Sequence, residues 1–114
     1  MTAKTCPECG NALPDREAGK RGAKPIFCCE AHYTAFHRRE MTQGRAIVAL
    51  AKAWRASRNR KEDRAIGAAA LNELCAILDQ FNADDREASR PRPTEYAETL
   101  LASGSRYMDR KRAK

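Results

Sequence analysis

Cys6-Pro7-Glu8-Cys9-Gly10 and Phe27-Cys28-Cys29-Glu30-Ala31-His32 decide the reading of this chain, two short runs with paired metal-type donors on either side of an 18-residue gap. Tetrahedral Zn²⁺ takes four thiolate or imidazole ligands, and the first run is a knuckle in which Gly10 lets the backbone turn beneath a metal. The second run offers three candidates, Cys28, Cys29 and His32, for two places. If a helix opens near Cys29, Cys28 stands just before its first turn. His32 then projects back from that turn, and the two converge on one ion. The expected centre is one structural Zn²⁺ per chain.

The pattern C-x2-C-G, a basic turn, F-C-x-x-x-C/H and a basic helix resembles the bacterial treble-clef zinc fingers, among them the small DNA gyrase inhibitor proteins and the F-C-S-type fingers. The resemblance covers residues 4–40. It implies Cys6, Cys9, Cys28 and His32 as ligands, with Cys29 where those proteins usually carry Ser. The fourth ligand is His in place of Cys, and the gap is longer than in the gyrase inhibitors. The resemblance implies a small α+β fold, with strands near Ala12-Leu13 and Pro25-Ile26-Phe27. It also implies either nucleic-acid binding or a protein-interaction adaptor that inhibits a DNA-handling enzyme such as gyrase.

With 114 residues the chain makes one domain or a finger joined to a small helical unit, and a finger this short lacks the core to fold without metal. Five cysteines are an odd number, and their paired spacing suits metal better than disulfides. With no apolar leader, a reducing cytoplasm is the expected compartment, and no run reaches the ~20 apolar residues of a membrane span.

The net charge of +7 is unevenly placed: +1 over residues 1–37, +6 over 38–64, −4 over 65–100 and +4 over 101–114. Concentrated positive charge favours a polyanionic partner, and duplex DNA is the expected one. Arg38, Arg39, Arg45, Arg55, Arg58, Arg60, Lys61 and Arg64 are the candidate contacts; solvated helix faces are the plain alternative.

The expected organisation is a treble-clef finger over 1–41, a mainly α-helical unit over 42–104, and a basic mobile tail over 105–114. In the finger, Asn11–Lys24 reads as a turn-rich loop. The helix from Cys29 to about Met41 turns Tyr33, Phe36 and His37 towards the zinc loop. His37, five residues beyond His32, is an alternative ligand. Thr42 is placed as the N-cap of a helix over about 43–57, striped by Ile47, Leu50, Ala51 and Trp54.

A helix over about 62–81 follows, with Ile66, Ala69, Ala70, Leu74, Ile77, Leu78 and Phe81 on one face and Cys75 as a core cysteine. Its small residues 67–70 invite close approach, with Trp54 as the large partner. Residues 82–93 read as a linker, and Thr94 caps a last helix over about 95–102 with Tyr96 and Leu100 inward and Gly104 ending it. So thin a core leaves homodimerisation through the third helix open. No nucleophile–base pair, carboxylate pair or phosphate loop stands above chance, so the chain reads as a small regulatory binding protein and not as an enzyme.

Overall fold

The computed structural model describes residues 5–13 and 26–103. The loop expected up to Lys24, Pro25, the stop at Gly104 and the basic tail lie outside them. Three α-helices dominate: α1 (Glu30–Ser57), α2 (Arg64–Glu87) and α3 (Pro93–Ser103), with a 3-10 turn at Lys61–Asp63. The two strands expected of an α+β finger are absent among the described residues. Only an isolated antiparallel bridge joins Thr5 to Ala12, and Ile26 and Phe27 lie in a bend.

The chain divides into two compact units, Met1–Ala35 with Asp85–Lys114, and Phe36–Asp84. In the first, Gly10 N donates to Cys6 O at 2.8 Å and Cys6 N donates to Asn11 O at 2.9 Å. These two bonds close a tight turn for which Gly10 adopts φ 77°, a left-handed conformation that L side chains resist. Cys29 O accepts from Tyr33 N at 3.1 Å, the first helical bond of α1, so the helix opens immediately after Cys29.

Apolar burial among the described residues of this unit is slight. Cys6 is fully buried, whereas Phe27 is half-buried and Tyr33 is 52% exposed. Phe27 and Tyr33 meet edge to face at 5.5 Å. On α3, Leu100 is exposed, contrary to the inward position expected, and Leu101 is 82% exposed. That helix starts one residue before Thr94, with Pro93 at its first position, where a missing N–H costs nothing, and Glu95 N bonded to Arg92 O.

The second unit holds α1 from Phe36 onward and most of α2. The break expected at Thr42 does not occur, because α1 runs for 28 residues through both Thr42 and Gly44. The Thr42 hydroxyl donates back to Arg38 O at 3.1 Å, one turn earlier, so it is bonded within a helix instead of capping a new one. Gly44 costs about 1 kcal/mol relative to Ala, too little to end a helix that packs on either side of it.

A short connection lets α1 and α2 run back on one another, and their closest approach is small on small. A Cβ placed on Gly67 would overlap both Oγ and Cβ of Ser57. Ser57, not Trp54, is therefore the residue that Gly67 accommodates; its hydroxyl is satisfied by Trp54 O at 2.6 Å. Gly67, Ala70 and Leu74 are the buried positions of α2, at the three- and four-residue spacing of one helix face. Three expected core residues fall outside that face: Ile66 is 62% exposed, and Ala69 and Cys75 are exposed. Helix α2 continues six residues beyond Phe81, so much of the expected linker is helical.

Candidate metal centre

Four donor atoms, from Cys6, Cys9, Cys28 and His32, lie within 4.8 Å of one another, close enough to hold a metal ion. Two come from the knuckle, one from the bend before α1 and one from its first turn, so each pair is fixed by short-range backbone geometry. Cys9 Sγ is 3.7 Å from Cys28 Sγ, and Cys28 Sγ is 3.0 Å from His32 Nδ1. Cys29 Sγ is exposed and stands 3.8 Å from Cys28 Sγ, outside the group of four. His37 lies further along α1 beside Glu40, at 3.4 Å, with its ring edge-on to Phe36.

The electrostatics of Cys6 and Cys28 differ in sign. Burial opposes ionisation of Cys6. Backbone N–H groups of Cys28, Cys9 and Glu8 and the His32 side chain outweigh it, and hold the thiol down at about 6 against an ordinary 9.0. Cys28 is pushed the other way, up to about 12, by burial, by the thiols of Cys9, Cys29 and Cys6, and by the negative charge of Cys6. One thiolate is favoured by the knuckle, and a second beside it is repelled. A divalent cation relieves that repulsion, since metal ligation deprotonates thiols outright.

The knuckle has a support that spacing along the sequence does not reveal. Arg90, in the segment expected to be a linker, donates from Nη1 to Asp85 Oδ1 at 2.8 Å and lies 3.8 Å from Glu8 Oε1. Glu8 sits between the two knuckle cysteines, and all three charged side chains are largely buried, 14% exposed for Glu8 and 22% for the others. Arg90 N also donates to Asp85 O at 2.9 Å, which closes the turn at the end of α2. Ser89 takes φ 59° in that turn, and a Cβ on Gly10 would be in ordinary contact with Pro91 and Ser89 O. No local pattern announces such a pairing, because Glu8 and Arg90 are far apart in sequence. Asp84-Asp85 with Pro91 and Pro93 carries the composition of a linker.

Of the residues expected to contact a polyanion, Arg38, Arg45, Arg55, Arg58, Arg60, Lys61 and Arg64 are exposed and Arg39 is half-buried, its guanidinium 5.6 Å over the Phe36 ring. Arg58 lies 5.9 Å over the Trp54 ring. Arg60 approaches Glu62 at 3.6 Å and Asp63 at 3.7 Å. Among the described residues no helix is long and apolar enough to cross a membrane. Comparison with family models, with curated proteins and with solved structures gives no match for this chain.

Proposed function

We propose that the chain is a small regulatory protein that binds nucleic acid, duplex DNA foremost, and whose N-terminal finger is held by one structural Zn²⁺ on Cys6, Cys9, Cys28 and His32. The donor set supports zinc. Zn–S bonds of ~2.3 Å put tetrahedral thiolates ~3.8 Å apart, and the Cys9–Cys28 separation is 3.7 Å. Four protein donors saturate the ion, which suits a structural site, where a catalytic one keeps a place for water. A knuckle pair facing a pair at the start of a helix is also what a treble clef offers, and we carry that fold as part of the proposal.

The observation that carries the binding function is exposed positive charge. Residues 38–64 hold nine basic residues against three acidic ones, and seven of the eight candidate residues are exposed. Binding of a fluorescent duplex over a range of salt tests it: log affinity should fall steeply with log salt, by about 0.9 per phosphate neutralised. Absence of duplex binding at low salt would sink the reading. The competing reading is an adaptor or inhibitor of a DNA-handling enzyme. Exposed apolar surface on α3 at Leu101 favours it, and capture of a protein partner by a chain with no affinity for duplex would establish it.

A further inference from the structure

Building on the nucleic-acid reading above, we propose that the binding surface is a single face of α1, and that its ligand is B-form duplex DNA, with the helix lying in the major groove along Arg38, Arg45, Lys52 and Arg55. The continuity of α1 through Thr42 and Gly44 creates this face. Two helices broken at Thr42 would place Arg38 and Arg45 on separate bodies. On one helix, residues at i, i+7 and i+14 fall within about 40° of one another, because seven residues make almost two turns, and i+17 widens the strip to a face about 100° across. All four are exposed, and among the described residues none is engaged in an ion pair.

No acidic residue interrupts the strip. The only acids of α1 are Glu30 and Glu40, and Glu40, two residues on from Arg38, lies on the other side beside His37. Lys52, absent from the candidates expected from sequence, belongs to the strip by position. Met41 and Val48 share it, spaced by seven like the basic residues and 65% and 47% exposed. A helix in a groove covers such residues, and thymine methyls give them apolar partners.

The strip is ~25 Å long, from ~1.5 Å per residue, which matches about seven base pairs. The turn after α1 is a poorer candidate, because Glu62 and Asp63 offset its charge and Arg60 is already near both. The chemistry of the face excludes other polyanions. It carries no aromatic residue on which single-stranded bases would stack. Its apolar content beyond alanine is Met41 and Val48, far from the broad apolar face of a membrane-surface helix. The major groove of an A-form RNA duplex is too narrow to admit a helix, whereas that of B-DNA, ~12 Å wide, admits one.

The test uses the full chain and a 20-base-pair mixed-sequence DNA duplex, read by fluorescence anisotropy from low to moderate salt. Changing Arg38, Arg45, Lys52 and Arg55 together to Gln should flatten the slope of log affinity against log salt by about 3 to 4, at ~0.9 for each phosphate no longer neutralised. The triple change Arg58, Arg60 and Lys61 to Gln should flatten it by about 1 or less on the same scale. The single change Lys52→Gln, which leaves the fold intact as an exposed exchange between good helix formers, should flatten it by about 0.9. A wild type that binds duplex steeply, with variants whose slopes match it, overturns the proposal and leaves the general reading standing. Tighter binding to RNA duplex, to a single strand or to anionic phosphatidylserine vesicles overturns it as well. A wild type that binds no nucleic acid removes both.

Discussion

The two compact units of this chain are held together by different forces. In the first, Cys6 is the one fully buried side chain among the described residues, Phe27 is half-buried against an exposed Tyr33, and order comes from hydrogen bonds to sulfur, the four-donor cluster and the Arg90 clamp. In the second, the fit of Gly67 against Ser57 and the burial of Ala70 and Leu74 are ordinary helix packing. Stability here is therefore not one quantity. If the four donors hold the proposed ion, one unit is governed by coordination and charge and the other by shape, and a perturbation aimed at either should leave the other's signal readable.

The largest expected effect separates them outright. Chelation, or Cys28→Ser, should unfold the knuckle and the start of α1 while most helical circular dichroism survives, because zinc supplies an apparent ~10–16 kcal/mol in finger peptides and little else in that unit does. Cys29→Ser should retain stoichiometric metal, its sulfur lying outside the donor group. Loss of all helicity on chelation would break the comparison. Acid sharpens it. In the metal-free chain the Cys6 thiol is held at about 6, below its unfolded value of 9.0. Its contribution is therefore present above 9 and is lost as pH falls through 6. Cys28, raised to about 12, contributes below 9 and loses that contribution as pH rises through 12.

A shape perturbation comes next. Gly67→Val should destabilise the second unit by about 1–3 kcal/mol, the usual range for overpacking, with metal content unchanged. Ser57→Gly added to Gly67→Ala should recover most of what Gly67→Ala loses, since the clash is with the Ser57 side chain. Thermal melts of the four proteins in the cycle give the coupling, and additive losses would show that the close approach is not where the unit is tight.

The smallest effect tests the clamp. Arg90→Ala should cost the first unit about 1–2 kcal/mol, because it removes a charge-assisted hydrogen bond and the cation that lies between Glu8 and Asp85, while partial exposure screens the loss. Weakened metal retention against a competing chelator, with α2 helicity intact, is the expected readout. Unchanged retention would confine Arg90 to closing the turn at the end of α2.

What is legible in the sequence follows the range of the interactions. Cys6 with Cys9, and Cys28, Cys29 and His32, are neighbours along the chain, so spacing narrows the donors to these five, and a helix opening near Cys29 selects the quartet that the structure gathers. The helical character of residues 43–57 and 62–81 is also legible, through the stripes at Leu50–Trp54 and Ala70–Leu74, although the sequence divides α1 in two. Thr42 misleads because its side chain suits both a cap and an internal bond to the preceding turn, and only the packing of the whole helix decides between them. Cys75 misleads because it is flanked by apolar residues of a helix whose buried face lies further round, at Gly67, Ala70 and Leu74. Arg90 is invisible since its partner Glu8 lies at the other end of the chain.

The first unit is discontinuous, with residues 36–84 inserted between its halves. Bringing Glu8 to Arg90 therefore closes a long loop, whose entropic cost in a flexible chain grows only as the logarithm of its length. A prefolded pair of helices within that loop reduces the number of free links further, as the chain that leaves through α1 is returned by α2. Order of synthesis follows from the same connectivity. All four metal donors leave the ribosome before any of the inserted unit is complete, and the arginine that steadies them comes after it. A nascent chain halted within α2 thus carries the whole metal site without its clamp, and its metal should be easier to strip than that of the finished protein.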